Sequence, residues 1–197
     1  MNSELRIDGG LNGMWTKFTK GQMLFGDFEV LYEFSKGKEV IVELGTSKGF
    51  GAMVLSMHGG LVYTVDNYLH RMADDEEVIV EENSQEVFES VKGYFKSKYK
   101  TITPLKGDTS EVAHQFPSES IDLLYIDGGH KYSEVKLDYD SWVFKVKSGG
   151  FILFHDYSVA HCEVKEFIDK EVMKDFKVKE IGMETLCKTV IKVFQKK

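Results

Sequence analysis

Two short segments carry the side chains best suited to chemistry: Ile126-Asp127-Gly128-Gly129-His130-Lys131-Tyr132 and Phe154-His155-Asp156-Tyr157. Each follows an apolar run, Ile121 to Ile126 and Phe151 to Phe154, that reads as a buried strand. In mostly parallel sheets the carboxyl ends of the strands share one edge, and ligands bind there. The two loops are therefore expected to bring two carboxylates and two histidines together. Aspartate and histidine are competent ligands for a divalent cation; oxygen favours magnesium or manganese, and imidazole shifts the balance toward transition metals. Such a cation can hold a substrate hydroxyl and lower its pKa, after which a neutral base removes the proton. The alternative is structural: an aspartate at a strand end can cap the next helix, and a histidine in a tight turn can bond the backbone. Asp138, on the helix after His130, is either a carboxylate that holds this imidazole in one tautomer or a solvated helix residue.

A second constellation lies earlier. Glu43-Leu44-Gly45-Thr46-Ser47-Lys48-Gly49-Phe50-Gly51 follows an apolar strand, with glycines at the first, fifth and seventh positions of the turn. The dinucleotide fingerprint needs them at the first, third and sixth, which disfavours a nicotinamide oxidoreductase. Glycines here let the backbone turn sharply and approach a ligand, and free amides at the start of the next helix can receive a carboxylate. The next strand ends in Asp66-Asn67, where an acidic side chain can accept both hydroxyls of a ribose. Any α/β protein can have a glycine after its first strand and an acid after its second; the order and context of the two signals together point to a cofactor site.

The elements that must position these groups alternate between β-branched runs and segments of helical period, the pattern of a mainly parallel sheet covered by helices. Strands are expected at Glu39 to Leu44, Leu61 to Asp66, Ile102 to Leu105, Ile121 to Ile126 and Phe151 to Phe154. Helices are expected at Ser47 to His58, Ser84 to Lys98, Thr109 to Phe116, Tyr132 to Val146 and Cys162 to Met173, with Gly59-Gly60 and Gly149-Gly150 as breaks. Phe176 to Ile181 and Lys188 to Phe194 read as a final strand pair with no helix between them, so one of the two must run antiparallel. Trp15, Phe18, Met23 and Phe25 are spaced like a segment folded over the pocket or packed on the sheet edge; Asp74 to Glu82 is a dense acidic run, read as a solvated face or loop.

The whole chain sets outer limits. Its 197 residues, 42% hydrophobic, suffice for one core, with residues 1–38 as an N-terminal cap segment and 39–197 as the α/β core of a single domain. A net charge of -7 tells against nucleic acid as partner. Cys162 and Cys187 form no disulfide framework and read as core residues of a protein in a reducing compartment. No apolar run approaches a membrane span, and the expected location is the cytoplasm.

The strand-end motifs and the final strand pair resemble those of class I S-adenosylmethionine-dependent methyltransferases over most of the chain from Glu39. The resemblance implies a Rossmann-like, doubly wound, seven-stranded sheet with an antiparallel C-terminal strand in a three-layer sandwich. It implies that Glu43 faces the ammonium end of the methionine moiety, that Gly45, Thr46, Ser47 and Gly49 line its path, that Asp66 and Asn67 hold the ribose, and that Asp108 and Thr109 lie near the adenine, with Asp127 bordering the cofactor. The Asp-Gly-x-His segment is similar to that of metal-dependent O-methyltransferases, including enzymes acting on sugar hydroxyls. By that likeness Asp127 and Asp156 bind metal, His130 is the general base, and Asp127 joins it in catalysis. His155 stands where those enzymes have an acidic residue, and would be a metal ligand in its place. The expectation is O-methylation of a small-molecule hydroxyl, using S-adenosylmethionine and Mg2+ or another divalent cation, in a chain that could form a homo-oligomer. A metal-independent methyltransferase and an inactive cofactor-binding subunit remain as alternatives.

Overall fold

The computed structural model describes residues 23–69, 84–182 and 188–197. Chain order is α1 (Phe25–Ser35), β1 (Val40–Leu44), α2 (Phe50–Leu55), β2 (Leu61–Asp66), α3 (Ser84–Lys98), β3 (Ile102–Lys106), α4 (Thr109–Val112), β4 (Ile121–Ile126), α5 (Tyr132–Trp142), β5 (Val146–Phe154), α6 (Val164–Lys170), β6 (Val178–Glu180) and β7 (Lys192–Lys196). The strands form one seven-stranded sheet in the order β3-β2-β1-β4-β5-β7-β6. Strands β1 to β5 pair in parallel, and β7 runs antiparallel to both neighbours. This is the expected doubly wound Rossmann-like sheet, and the antiparallel member of the final pair is β7.

Alternation along the strands explains the three layers. In β1, Ile41 packs with α1, α2 and α3, whereas Val42 and Leu44 pack with α4, α5 and α6. Both faces are covered, so the central strands are apolar at nearly every position. Strand order reverses between β1 and β4, and the crevice outside their carboxyl ends is where such sheets bind ligands. The Gly45 and Asp127 loops meet there, with the Asp127 amide donating to the Leu44 carbonyl at 2.9 Å.

Several boundaries differ from the expectations. Residues 25–35 of the supposed cap segment form α1, whose Phe28, Val30 and Leu31 belong to the core. Helix α2 starts at Phe50, because Ser47 and Gly49 before it take positive φ of 44° and 78°. Gly149-Gly150 lies inside β5, where the register against β4 shifts between Ile121 and Leu123. Glycines at a bulge are tolerated within a strand, so the pair does not end the element. Helix α5 ends at Trp142 in a 3₁₀ turn that leads straight into β5, and α6 is shorter than expected. Trp15, Phe18, the acidic run at Asp74 to Glu82 and Cys187 lie outside the described residues, while Cys162 is buried as expected. Among the described residues no helix is long and apolar enough to cross a membrane.

Candidate active site

The glycine loop is built around a close approach. A Cβ on Gly45, whose φ is +96°, would stand 2.1 Å from the carbonyl oxygen of Asp127. Only glycine lets the two loops touch, and this fixes the floor of the crevice. Beneath the loop, Glu43 is 1% exposed; its Oε2 accepts a 2.5 Å hydrogen bond from the Thr64 hydroxyl, which lies 2.7 Å from the Thr46 hydroxyl. Burial pushes the Glu43 carboxyl well above its usual range, against the opposing bond from Thr64. Gly51 leaves room for this carboxyl, since a Cβ there would lie 2.0 Å from Glu43 Oε1. Glu43 and Thr46 are thus buried and joined through Thr64 at the base of the loop.

The strand ends continue the edge. Asp66 accepts from the Ser47 amide at 2.9 Å and the Tyr68 amide at 2.6 Å, which ties the end of β2 to the glycine loop. Asn67 Nδ2 donates to Asp108 Oδ1 at 3.2 Å, linking β2 to the turn after β3. Thr109 turns its hydroxyl inward and donates to Asp138. Asp138 is therefore neither a solvated carboxylate nor a partner of His130: it is 4% exposed, and burial raises its pKa to about 6 against the Thr109 bond.

The second constellation converges as its residue types suggest. His155 is buried, with Nδ1 at 3.1 Å from Asp127 Oδ1 and 3.2 Å from Asp156 Oδ1. Neither approach is an aligned hydrogen bond, and among the described residues Nδ1 has no other partner. Neighbouring ligand atoms around an octahedral cation with bonds of about 2.1 Å stand about 3 Å apart, and Nδ1 has that spacing from each of the two carboxylate oxygens. The donor set, two carboxylates and an imidazole, suits a divalent cation, and the residues fit one. Asp156 has a φ of +58°, a conformation few non-glycine residues adopt, which aims its carboxylate back into the cluster. The Tyr125 hydroxyl donates to Asp127 Oδ2 at 3.0 Å, leaving Oδ1 for the cluster.

His130 stands at the rim, its side chain about half exposed, with Nε2 at 3.0 Å from Asp156 Oδ2. That bond raises the His130 pKa against the lowering effect of burial. Burial would raise Asp156, but its bond to His130 and the nearby charge of His155 outweigh this and hold it well below the usual carboxylate range. For His155, burial opposes the charged ring, and the carboxylates of Asp127, Asp156 and Asp27 overcome it, pushing the pKa to about 12.

Asp27 is the residue that sequence reasoning missed. It is fully buried on α1, accepts from Thr189 Oγ1 at 2.6 Å and from the amides of Val190 and Leu24 at 2.8 Å each, and faces His155 Nε2 at 3.4 Å. An aspartate in the first turn of an apolar segment is a detectable capping signal, but nothing local in the sequence connects it to a histidine 128 positions away.

A doubly wound sheet ending in an antiparallel strand, with a glycine loop and an acidic strand end at the switch point, defines the class of S-adenosylmethionine-dependent methyltransferases. Residues 42–157 match the family model described as a methyltransferase domain, and the chain belongs to that family. A protein of Sinorhizobium fredii, y4gI, is 28% identical over 121 residues, which are 60% of this chain and 13% of the relative; the chain thus spans a small part of that protein's length. Among solved structures, a protein from Corynebacterium glutamicum is similar with a TM-score of 0.66 at 10% identity, covering 94% of this chain and 87% of the other. The O-methyltransferase NovP is similar with a TM-score of 0.60 at 16% identity, covering 87% and 79%. A methyltransferase from Geobacter sulfurreducens gives 0.59 at 8% identity, covering 100% and 90%. At such identities the likeness concerns the fold.

Proposed function

We propose that the chain methylates a hydroxyl of a small molecule, such as a sugar or secondary metabolite, using S-adenosylmethionine and a divalent cation held by Asp127, His155 and Asp156. The observation that carries this reading is the buried, unpartnered Nδ1 of His155 facing two carboxylate oxygens, beside a histidine at the rim of the crevice. In this reading the backbone from Gly45 through Thr46 and Ser47 to Gly49 cradles the methionine part of the cofactor. Glu43, at the base of that loop, faces the ammonium end of the methionine moiety. Asp66 and Asn67 take the ribose, Asp108 and Thr109 border the adenine, and Asp127 stands between cofactor and acceptor.

Methyl transfer is an in-line displacement on an already activated sulfonium, so alignment of the acceptor oxygen with the methyl carbon supplies most of the rate. The C–S bond breaks as the O–C bond forms, S-adenosylhomocysteine leaves, and the hydroxyl proton must go to a base. His130 takes it: with Nε2–H donated to Asp156, the lone pair of Nδ1 is free to accept. When bound, the cation polarises the acceptor hydroxyl and lowers its pKa. A metal-independent reading has one observation in its favour, since a protonated His155 between three carboxylates would itself offset part of their charge.

The test is transfer from methyl-labelled S-adenosylmethionine to a panel of sugars, phenols and other alcohols, with EDTA or with Mn2+ or Mg2+ added. Labelled ether product that falls with EDTA and returns with metal is the expected outcome. Product formation indifferent to EDTA favours the metal-independent reading. Labelled product from amines alone would overturn the hydroxyl assignment, and so the need for His130 as base.

A further inference from the structure

Resting on the metal-assisted reading, we infer that Asp27 is the residue that presents His155 to the cation, and that the resulting site takes a transition-metal ion in preference to magnesium. Asp27 as a carboxylate can only accept hydrogen bonds. Its Oδ1 already receives Thr189 and Val190, and its Oδ2 receives the Leu24 amide, so it is anchored from both sides before His155 arrives. Facing this acceptor at 3.4 Å, Nε2 of His155 carries the hydrogen. When a cation takes the place of the proton on Nδ1, the ring keeps its Nε2 hydrogen toward Asp27 and turns the Nδ1 lone pair to the point it shares with Asp127 Oδ1 and Asp156 Oδ1.

Nδ1 and two carboxylate oxygens converge on one point, where either a proton on Nδ1 or a cation between the three relieves the carboxylates' repulsion. The arrangement is that of a metal-ligating histidine whose second nitrogen is held by a carboxylate, a pairing that fixes ring orientation and raises ligand basicity. Because Asp27 belongs to α1 and its anchors Thr189 and Val190 directly precede β7, elements far apart in the chain jointly set one ligand's direction. The choice of ion follows from the ligand atoms. Magnesium favours oxygen ligands and keeps most of its water, whereas an imidazole nitrogen adds affinity for manganese, cobalt or zinc.

The test is metal titration of the purified 197-residue chain, without acceptor or turnover. Mn2+ binding is followed by the electron spin resonance of the free ion, with Mg2+ as competitor, for the wild type and Asp27→Asn. The wild type is expected to bind Mn2+ at least about 10-fold tighter than Mg2+, and Asp27→Asn to lose about 10- to 100-fold in Mn2+ affinity. A folded Asp27→Asn protein with unchanged Mn2+ affinity, or a wild type that binds Mg2+ as well as Mn2+, would overturn the inference. If the substitution prevents folding, nitrogen-15 histidine spectra of the Zn2+-loaded wild type decide: a proton on Nε2 with metal on Nδ1 supports the inference, and the reverse assignment overturns it. A wild type that binds no divalent ion defeats the metal-assisted reading itself, whereas binding indifferent to Asp27 defeats only this assignment.

Discussion

His130 precedes α5 and lies at the crevice rim, whereas Asp138 lies within α5 and is buried against Thr109. Replacing His130 by glutamine removes the proton acceptor and keeps the rim's shape; turnover is expected to fall about 100- to 10,000-fold with little change in affinity for S-adenosylhomocysteine. Product formation and calorimetry on the same preparation check both halves. Asp138 instead reports through stability. Its folded pKa of about 6 exceeds the ordinary 3.8, so below about pH 4 it is protonated in both states, and as pH rises the unfolded chain ionises first. Stability is therefore lost from about pH 4 to about pH 6, by roughly 3 kcal/mol in all. Asparagine at 138 can still accept from Thr109 and does not ionise. Asp138→Asn should thus match the wild type at low pH and exceed its stability at pH 7, as urea unfolding at the two pH values will show. A variant that is less stable at pH 7 would contradict this account of the buried carboxyl. At this scale the sequence disclosed residues that share a strand end, since Asp127, His130, His155 and Asp156 all follow apolar runs. It hid pairings set by helix rotation or by distance along the chain, as with Asp138 to Thr109 and Asp27 to His155.

Elements with a clean period were legible: α3 and β4 have the expected limits, because each is bounded by residues unlike its interior. Helix α1 was not, because apolar residues crowd its sequence and its one aspartate is buried. The bulge in β5 was read as a terminator because a glycine pair signals either, and only pairing with β4 tells them apart. The integration of α1 into the sandwich can be measured. Leu31 is fully buried in the core on that side of the sheet, so Leu31→Ala should cost about 2–5 kcal/mol in urea unfolding, where an exposed cap would lose under about 0.5 kcal/mol. The glycine loop offers a second test. At φ +96° and with Asp127 in the way, Gly45→Ala must displace one loop from the other. It should abolish measurable S-adenosylhomocysteine binding even if the variant still folds, and binding at wild-type strength would show that the loop is free to move.

The molecule as a whole joins these parts at one edge. Strand order places the β1 and β4 loops side by side, the β2 and β3 ends extend the cofactor side through Asp66, Asn67 and Asp108, and the β5 loop closes the other side with His155 and Asp156. A net charge of -7 sets this edge in an acidic protein, a poor match for a phosphate backbone and no obstacle to a cationic cofactor or a neutral alcohol. The class was legible because sheet order is implied by alternation and by the helix-free final pair; the acceptor was not, because it depends on loops that vary independently of the fold. The most direct measurement is calorimetric titration of the purified chain with S-adenosylhomocysteine, with NAD as the control ligand. Saturable binding of one S-adenosylhomocysteine per chain and no binding of NAD is the expected result, whereas failure to bind S-adenosylhomocysteine, with or without Mn2+, would contradict the assignment of this edge as a methyl-transfer site.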